Sequence, residues 1–230
     1  RAKFGIGWKW VMLTPVLAGV TVVIGLSLFP STATGPVALT PPGEIAPTTR
    51  VTAQPPDPVP GREEEIPTGE WIDLIQNINP QGNAPAGVWE VVHRELTVDK
   101  VEWARIMLPC NVPEQYEFEV VFTRNTGVNS IALIFAMNGH QATLDIDAGH
   151  DFLAGIQNID GENCQRNVTP VKNVRLTNGE RHTAGIRVHS DRVEAFLDGR
   201  PLKHYYGDGT NLSLHPNWRL PDTNGIGIGV

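Results

Sequence analysis

The sequence predicts an all-β fold, a jelly-roll sandwich, set behind one transmembrane helix and a Pro-rich linker. Three features carry this expectation. Short segments with period-two hydrophobicity follow one another from residue 69 to the end, residues 11–29 hold no charge, and prolines crowd the stretch between. With 40% hydrophobic and 19% charged residues in 230, the chain has the material for an ordinary packed core. Its net charge of -7 argues against a nucleic-acid partner, because phosphate binding asks for a basic face. The chain opens on Arg1 and closes on "GIGIGV" inside a strand-like pattern, so both ends are expected to be cuts in a longer protein.

Residues 1–10 are the expected cytoplasmic stub. Arg1, Lys3 and Lys9 stand ahead of the uncharged run, and Trp8 and Trp10 suit the membrane interface. The run over 11–29, "VMLTPVLAGVTVVIGLSLF", has about the 20 residues that a helix needs to cross a bilayer. Pro15 falls early in it, where a missing N–H costs least. The next charge is Glu44, so the N-terminus is expected inside and everything after Pro30 outside. The competing reading is a cleaved secretory signal, since Ser31-Thr32-Ala33 has the small-x-small form of a cleavage site. Both readings put the rest of the chain outside the cytoplasm. The first makes membrane lipid the partner of residues 11–29.

Residues 30–68 carry ten of the nineteen prolines, including "TPPG" and "AQPPDPVPG", and few large apolar side chains. Such a segment cannot bury enough surface to offset its chain entropy, so an extended spacer is expected.

From residue 69 to 230 the pattern is that of strands. "QYEFEVVFTR" alternates, with Tyr116, Phe118, Val120 and Phe122 on one face and Glu117, Glu119, Val121 and Thr123 on the other. "NSIALIFAMNG" is a more apolar strand ending in the hairpin dipeptide Asn138-Gly139. In "HQATLDID", Thr143, Asp145 and Asp147 fall on one side and Leu144 and Ile146 on the other. In "GIRVHSDRVEAFLDGRPLKHY", two-residue loops at Ser190-Asp191 and Asp198-Gly199 set Val188 against Val193, Arg187 against Glu194 and Ile186 against Ala195. Across the second turn they set Ala195 against Leu202 and Glu194 against Lys203. One face is then apolar and the other a charged ladder.

The segments "GVWEVVHRELTV", "YEFEVVFTRNTGVNSIALIF" and "ERHTAGIRVHSDRVEAFLDGRPL" resemble the concanavalin A-like sandwich family. Within that family the chain is similar to the bacterial 3-keto-disaccharide hydrolase-like domains and to relatives attached to membrane-anchored proteins, some of them serine/threonine kinases. The resemblance spans residues 70–230 and rests on structural motifs. It implies a sandwich that holds a glycan or a protein on its concave sheet or rim loops, with Arg187, His189, Glu194 and Phe196 as candidate ligand contacts. The chain departs from the hydrolase-like pattern at "IALIFAM", where a Gly-hydrophobic-Arg segment is expected.

Candidate chemistry is sparse. Glu117 and Glu119, two apart on a strand, share a face at about 7 Å, a separation that glycosidases use. Asp145, Asp147 and His150 form an alternative cluster for a hard cation, although no tight ligand spacing such as H-E-x-x-H occurs. Neither a phosphate loop nor a G-x-S-x-G elbow is present. Cys110 and Cys164 are the two cysteines, and outside the cytoplasm they are candidates for one disulfide. Trp89 and Trp103 read as core residues, because a sandwich needs large buried aromatics. The expectation is a membrane-anchored, non-catalytic binding module without a cofactor. A glycan-active hydrolase and a passive structural domain are the alternatives.

Overall fold

The computed structural model describes residues 19–28, 71–99 and 101–230. The chain enters with β1 (Gly19–Leu28) and β2 (Trp71–Asp73). A 3-10 turn at Leu74–Asn77 and the short α1 (Pro80–Asn83) lead to the hairpin of β3 (Trp89–Val92) and β4 (Glu95–Asp99). Next come β5 (Arg105–Met107) and β6 (Tyr116–Arg124). An antiparallel meander follows, made of β7 (Ile131–Met137), β8 (His140–Ala148) and β9 (Leu153–Ile156). After the short β10 (Asn158–Ile159) and β11 (Glu162–Asn163) come β12 (Arg181–Val188), β13 (Arg192–Leu197), β14 (Arg200–Pro201) and β15 (Tyr205–Tyr206). The chain closes with β16 (Leu212–Ser213) and β17 (Gly227–Gly229).

Among the described residues these strands make an all-β sandwich. One sheet has nine strands, in the order β14-β13-β12-β6-β1-β4-β3 with β15 and β2 pairing at its flanks. The facing sheet has five, in the order β5-β17-β7-β8-β9, and β11-β10-β16 form a small third sheet. The core lies between the two large sheets. Tyr116, Phe118, Val120 and Phe122 of β6 are buried against Leu133, Phe135, Leu144, Ile146 and Ile228 of the facing sheet, in one continuous cluster. The expected alternation along β6 therefore holds. The Tyr116 hydroxyl crosses the core to donate to Ala136 O at 2.7 Å and accept from Ala136 N at 3.0 Å. A buried phenol needs such a partner.

The expected register is present across the first turn and as far as Leu202 across the second, but Glu194 and Lys203 are not paired, because β15 meets β13 one position out of step, with Val193 opposite Tyr205. Val188, Arg187 and Ile186 pair with Val193, Glu194 and Ala195, and Leu202 N donates to Ala195 O at 2.8 Å. Both residues of the Asn138-Gly139 and Asp198-Gly199 loops have positive φ, the left-handed pair that matches hairpin twist.

At two places the structure differs from the expectation. No helix among the described residues is long and apolar enough to cross a membrane. The second half of the expected transmembrane helix is β1, which pairs antiparallel with β6 over nine positions and with β4 and β2 on its other side. An uncharged run rich in β-branched residues (Val20, Thr21, Val22, Val23, Ile24) satisfies a strand flanked on both sides as well as a helix in lipid, and periodicity alone does not separate them. The stub at 1–10, the start of the span at 11–18 and the linker at 30–68 lie outside the described residues. The second difference is at β8. A bulge between Asp145 and Ala148, with Asp147 at φ 60°, breaks the alternation, so Asp145 and Asp147 do not share a face.

Candidate functional site

The charged ladder occupies the outer face of the nine-stranded sheet, where its members bind one another. Arg187 Nε lies 3.1 Å from Glu117 Oε2, and its Nη1 lies 3.9 Å from Glu194 Oε2. The same guanidinium sits 4.7 Å above the Phe196 ring. Glu194 also receives Arg192 Nε at 2.9 Å and has His189 Nε2 at 3.7 Å. Burial works against the Glu194 charge, but the Arg192 hydrogen bond leads the effects that hold its carboxyl below the ordinary value. Burial, then the negative charge of Glu117, raises the carboxyl of Glu119. The residues read as a catalytic pair and as ligand contacts thus sit in one cross-strand network.

The candidate metal trio is dispersed. Asp147 turns into the end of the core and pairs with Arg124, while Asp145 stays under the outer cover of the five-stranded sheet and His150 stands at a rim. No group of three or more metal-ligating side chains occurs among the described residues. Cys110 and Cys164 are free thiols, so the expected disulfide is absent. Cys110 packs against the inter-sheet core, and Cys164 is buried and close enough to Asp145 to feel its charge.

A cleft of about 560 Å³ opens beside the outer face of the five-stranded sheet, within the range of small-ligand sites. Glu102, Trp103, Asn129, Ser130, His150 and Trp218 line it. Trp89 is buried as expected, with Nε1 donating to Ala86 O at 3.0 Å, but Trp103 is only half-buried. Trp103 sits in the β4–β5 turn at φ 61°, a conformation that costs a bulky residue about 1–3 kcal/mol. Arg105 braces the turn by donating to Trp103 O at 3.4 Å and to Arg219 O at 2.9 Å. The Trp103 ring stacks on His215 with centroids 4.7 Å apart and planes 10° apart, and it meets Trp218 edge-on at 4.8 Å. Trp218 lies over Gly229, where an added Cβ would collide with its ring.

The segment carrying His215 and Trp218 is bonded to the sheet beneath it. Gln141 Nε2 donates to Asp222 O at 2.6 Å, and Gln141 Oε1 accepts from Leu220 N at 3.2 Å. Gln157 Oε1 accepts from His215 N at 2.7 Å and from Thr143 Oγ1 at 3.2 Å, while its Nε2 donates to Asp145 Oδ2 at 3.1 Å. Burial pushes the Asp145 carboxyl up to about 7, against the hydrogen bond from Gln157. These polar outward positions on β8 become legible only once the covering segment is known. A sandwich's need for large buried aromatics places Trp103 in the core on sequence grounds, and the structure sets it half-buried at the cleft instead. His215 and Trp218, in "LHPNWRL", lie outside any recognised motif.

No protein-family model matches the chain, and no curated protein matches it. Solved structures do. The carbohydrate binding module CBM66 from Bacillus subtilis is similar at 16% identity and TM-score 0.43, over 64% of this chain and 85% of that one. A glycosyl-hydrolase candidate from Parabacteroides distasonis is similar at 14% identity and TM-score 0.42, over 66% of this chain and 87% of that one. The Crh5 transglycosylase is similar at 15% identity and TM-score 0.33, over 61% of each.

Proposed function

We propose that the protein is a non-catalytic glycan-binding module with a concanavalin A-like sandwich, and that its ligand enters the cleft beside Trp103. One observation carries this reading. A half-exposed Trp in a strained backbone, braced by His215 and Trp218, forms one wall of the cleft, and the other walls carry a carboxylate, an amide, a hydroxyl and an imidazole. Sugars need that combination, because their C–H faces pack on aromatic rings while their hydroxyls need directional polar partners. Strained backbone concentrates at binding sites, where the surrounding structure holds it in place. The test is a glycan array with the full chain and with Trp103→Ala, followed by product analysis of every bound glycan. Binding without products, weakened at least tenfold in the variant, supports the module. Turnover, or binding that the substitution leaves unchanged, overturns it.

The location outside the cytoplasm, with residues 11–29 as anchor, belongs to the same proposal. The anchor competes with β1, because residues 19–28 cannot be a bilayer helix and a sheet strand at once. Carbonate extraction of membranes from expressing cells decides between them. Retention in the pellet supports the anchor, and release to the supernatant rejects it.

A further inference from the structure

We infer that Gln157 is the positioning residue for the aromatic wall of the cleft: its amide ties the backbone of His215 to the buried Asp145 and so fixes the ring on which Trp103 stacks. This rests on the cleft being the binding site.

The amide has one workable orientation. His215 N–H and the Thr143 hydroxyl both donate to it, at 2.7 and 3.2 Å, so the oxygen must face them. The Asp145 carboxylate accepts at 3.1 Å, so the nitrogen must face Asp145. A flipped amide would set its nitrogen against the His215 N–H, which can only donate. Asp145 is 5% exposed and its Oδ1 is without a hydrogen-bond partner, so it is held in place by packing. His215 is the N-cap of the turn Pro216–Trp218, its Nδ1 accepting from Asn217 N at 3.3 Å, so fixing its backbone also sets the start of the turn that carries Trp218. Both aromatic partners of Trp103 are therefore governed from one half-buried amide.

The test is Gln157→Glu. The two acceptor contacts survive, but a second carboxyl then faces Asp145, and the two groups can settle only by sharing a proton. The Cys164 thiol, which feels the Asp145 charge, is pushed up to about 12, chiefly by burial, and stays neutral across the range used. The His215 ring, stacked on Trp103, is common to variant and wild type, so the wild type at both pH values is the reference. Asp147, on the same strand, is turned away onto Arg124. The readout is the near-UV circular dichroism of the full chain, with Trp103→Phe identifying the Trp103 contribution. The expected result is a wild-type spectrum at pH 5 and loss of at least half the Trp103 signal at pH 8, with the far-UV spectrum intact. A loss that persists at pH 5 overturns the assignment, and an unchanged spectrum at pH 8, where the pair still holds its shared proton, passes the decision to Gln157→Met. If Gln157→Glu unfolds at pH 8, Gln157→Met decides. It removes both acceptor contacts and should lose the Trp103 signal at either pH, and retention of the signal overturns the assignment. Native electrophoresis in gels cast with laminarin, xylan or inulin separates this claim from the one it rests on. A polysaccharide that retards the wild type should retard Gln157→Glu equally at pH 5 and at least fivefold less at pH 8. A spectral change with no retardation of the wild type sinks the glycan reading and leaves the positioning role standing.

Discussion

Arg124 and Asp147 form a buried ion pair across the end of the sandwich, with Nη1 2.8 Å from Oδ2 and side chains 6% and 4% exposed. Arg124 ends β6 on the core-facing side, and Asp147 reaches it only because the bulge turns it inward. The guanidinium also donates to Asn129 O, Leu176 O and Asn178 Oδ1 at 2.6 to 2.9 Å, and Asp147 Oδ2 accepts from Leu176 N at 3.1 Å. Every Arg124 nitrogen is thus used. The pair joins both sheets to the loop before β12 and shapes the end of the molecule near the cleft.

Removing one partner leaves the other charge buried, which costs about 3–5 kcal/mol. Asp147→Asn and Arg124→Met should each lower the unfolding free energy by about that much in urea titrations. The double variant should lose clearly less than the sum, because neither charge remains stranded. Additive losses would mean that the two residues do not act as a pair.

The buried Asp145 gives the fold a pH dependence of opposite sign to that of an ordinary paired carboxylate. Its folded value of about 7 exceeds the ordinary 3.8, so the folded state holds a proton that the unfolded chain has released. Stability is full below about pH 4, is lost as pH rises to about 7 and is level above that, with a limiting slope of about 1.4 kcal/mol per pH unit. Asp145→Asn should flatten that part of the profile and melt above the wild type at pH 8. An unchanged slope between pH 4 and 7 would assign it to another group.

Much of the sandwich was legible in the sequence because its signals are local. The alternation from Tyr116 to Phe122 and the Asp198-Gly199 turn each fix a strand or a register within a few residues. The site was not legible, because it depends on long-range coverage. Gln157 meets His215, 58 positions away, and Gln141 meets Asp222, 81 positions away. Asp147 shows the limit of counting by twos, since one extra residue at a bulge moves a side chain from one face to the other. At residues 11–29, length, the flanking positive charges and the interfacial Trp8 and Trp10 all suit a bilayer helix, and Gly19–Leu28 shows that the same composition suits a central strand.

The thiols yield a redox prediction. Burial pushes both Cys110 and Cys164 up to about 12, from an ordinary value of 9.0. The thiolate fraction at pH 8 then falls about a thousandfold, and alkylation slows with it. Iodoacetamide should leave the native chain unmodified on a timescale that labels both cysteines in urea, and the intact mass before reduction should be that of two free thiols. A mass lower by two hydrogens would show the disulfide that the fold does not form.

Gly229 tests the wall from below without touching a ligand. Its missing side chain lets Trp218 lie flat on β17, and a Cβ there meets Cζ3 of the ring, which has no flexible end to move aside. Gly229→Ala should therefore displace the indole, cost about 1–3 kcal/mol of stability through overpacking, and weaken glycan retention by moving the edge that Trp103 packs against. Gly199→Ala is the control. Nothing lies within 4 Å of its added Cβ and its φ is 72°, so it strains a distant hairpin and should leave retention unchanged. Equal loss of retention in both variants would mean that general destabilisation, not the placement of Trp218, sets the affinity.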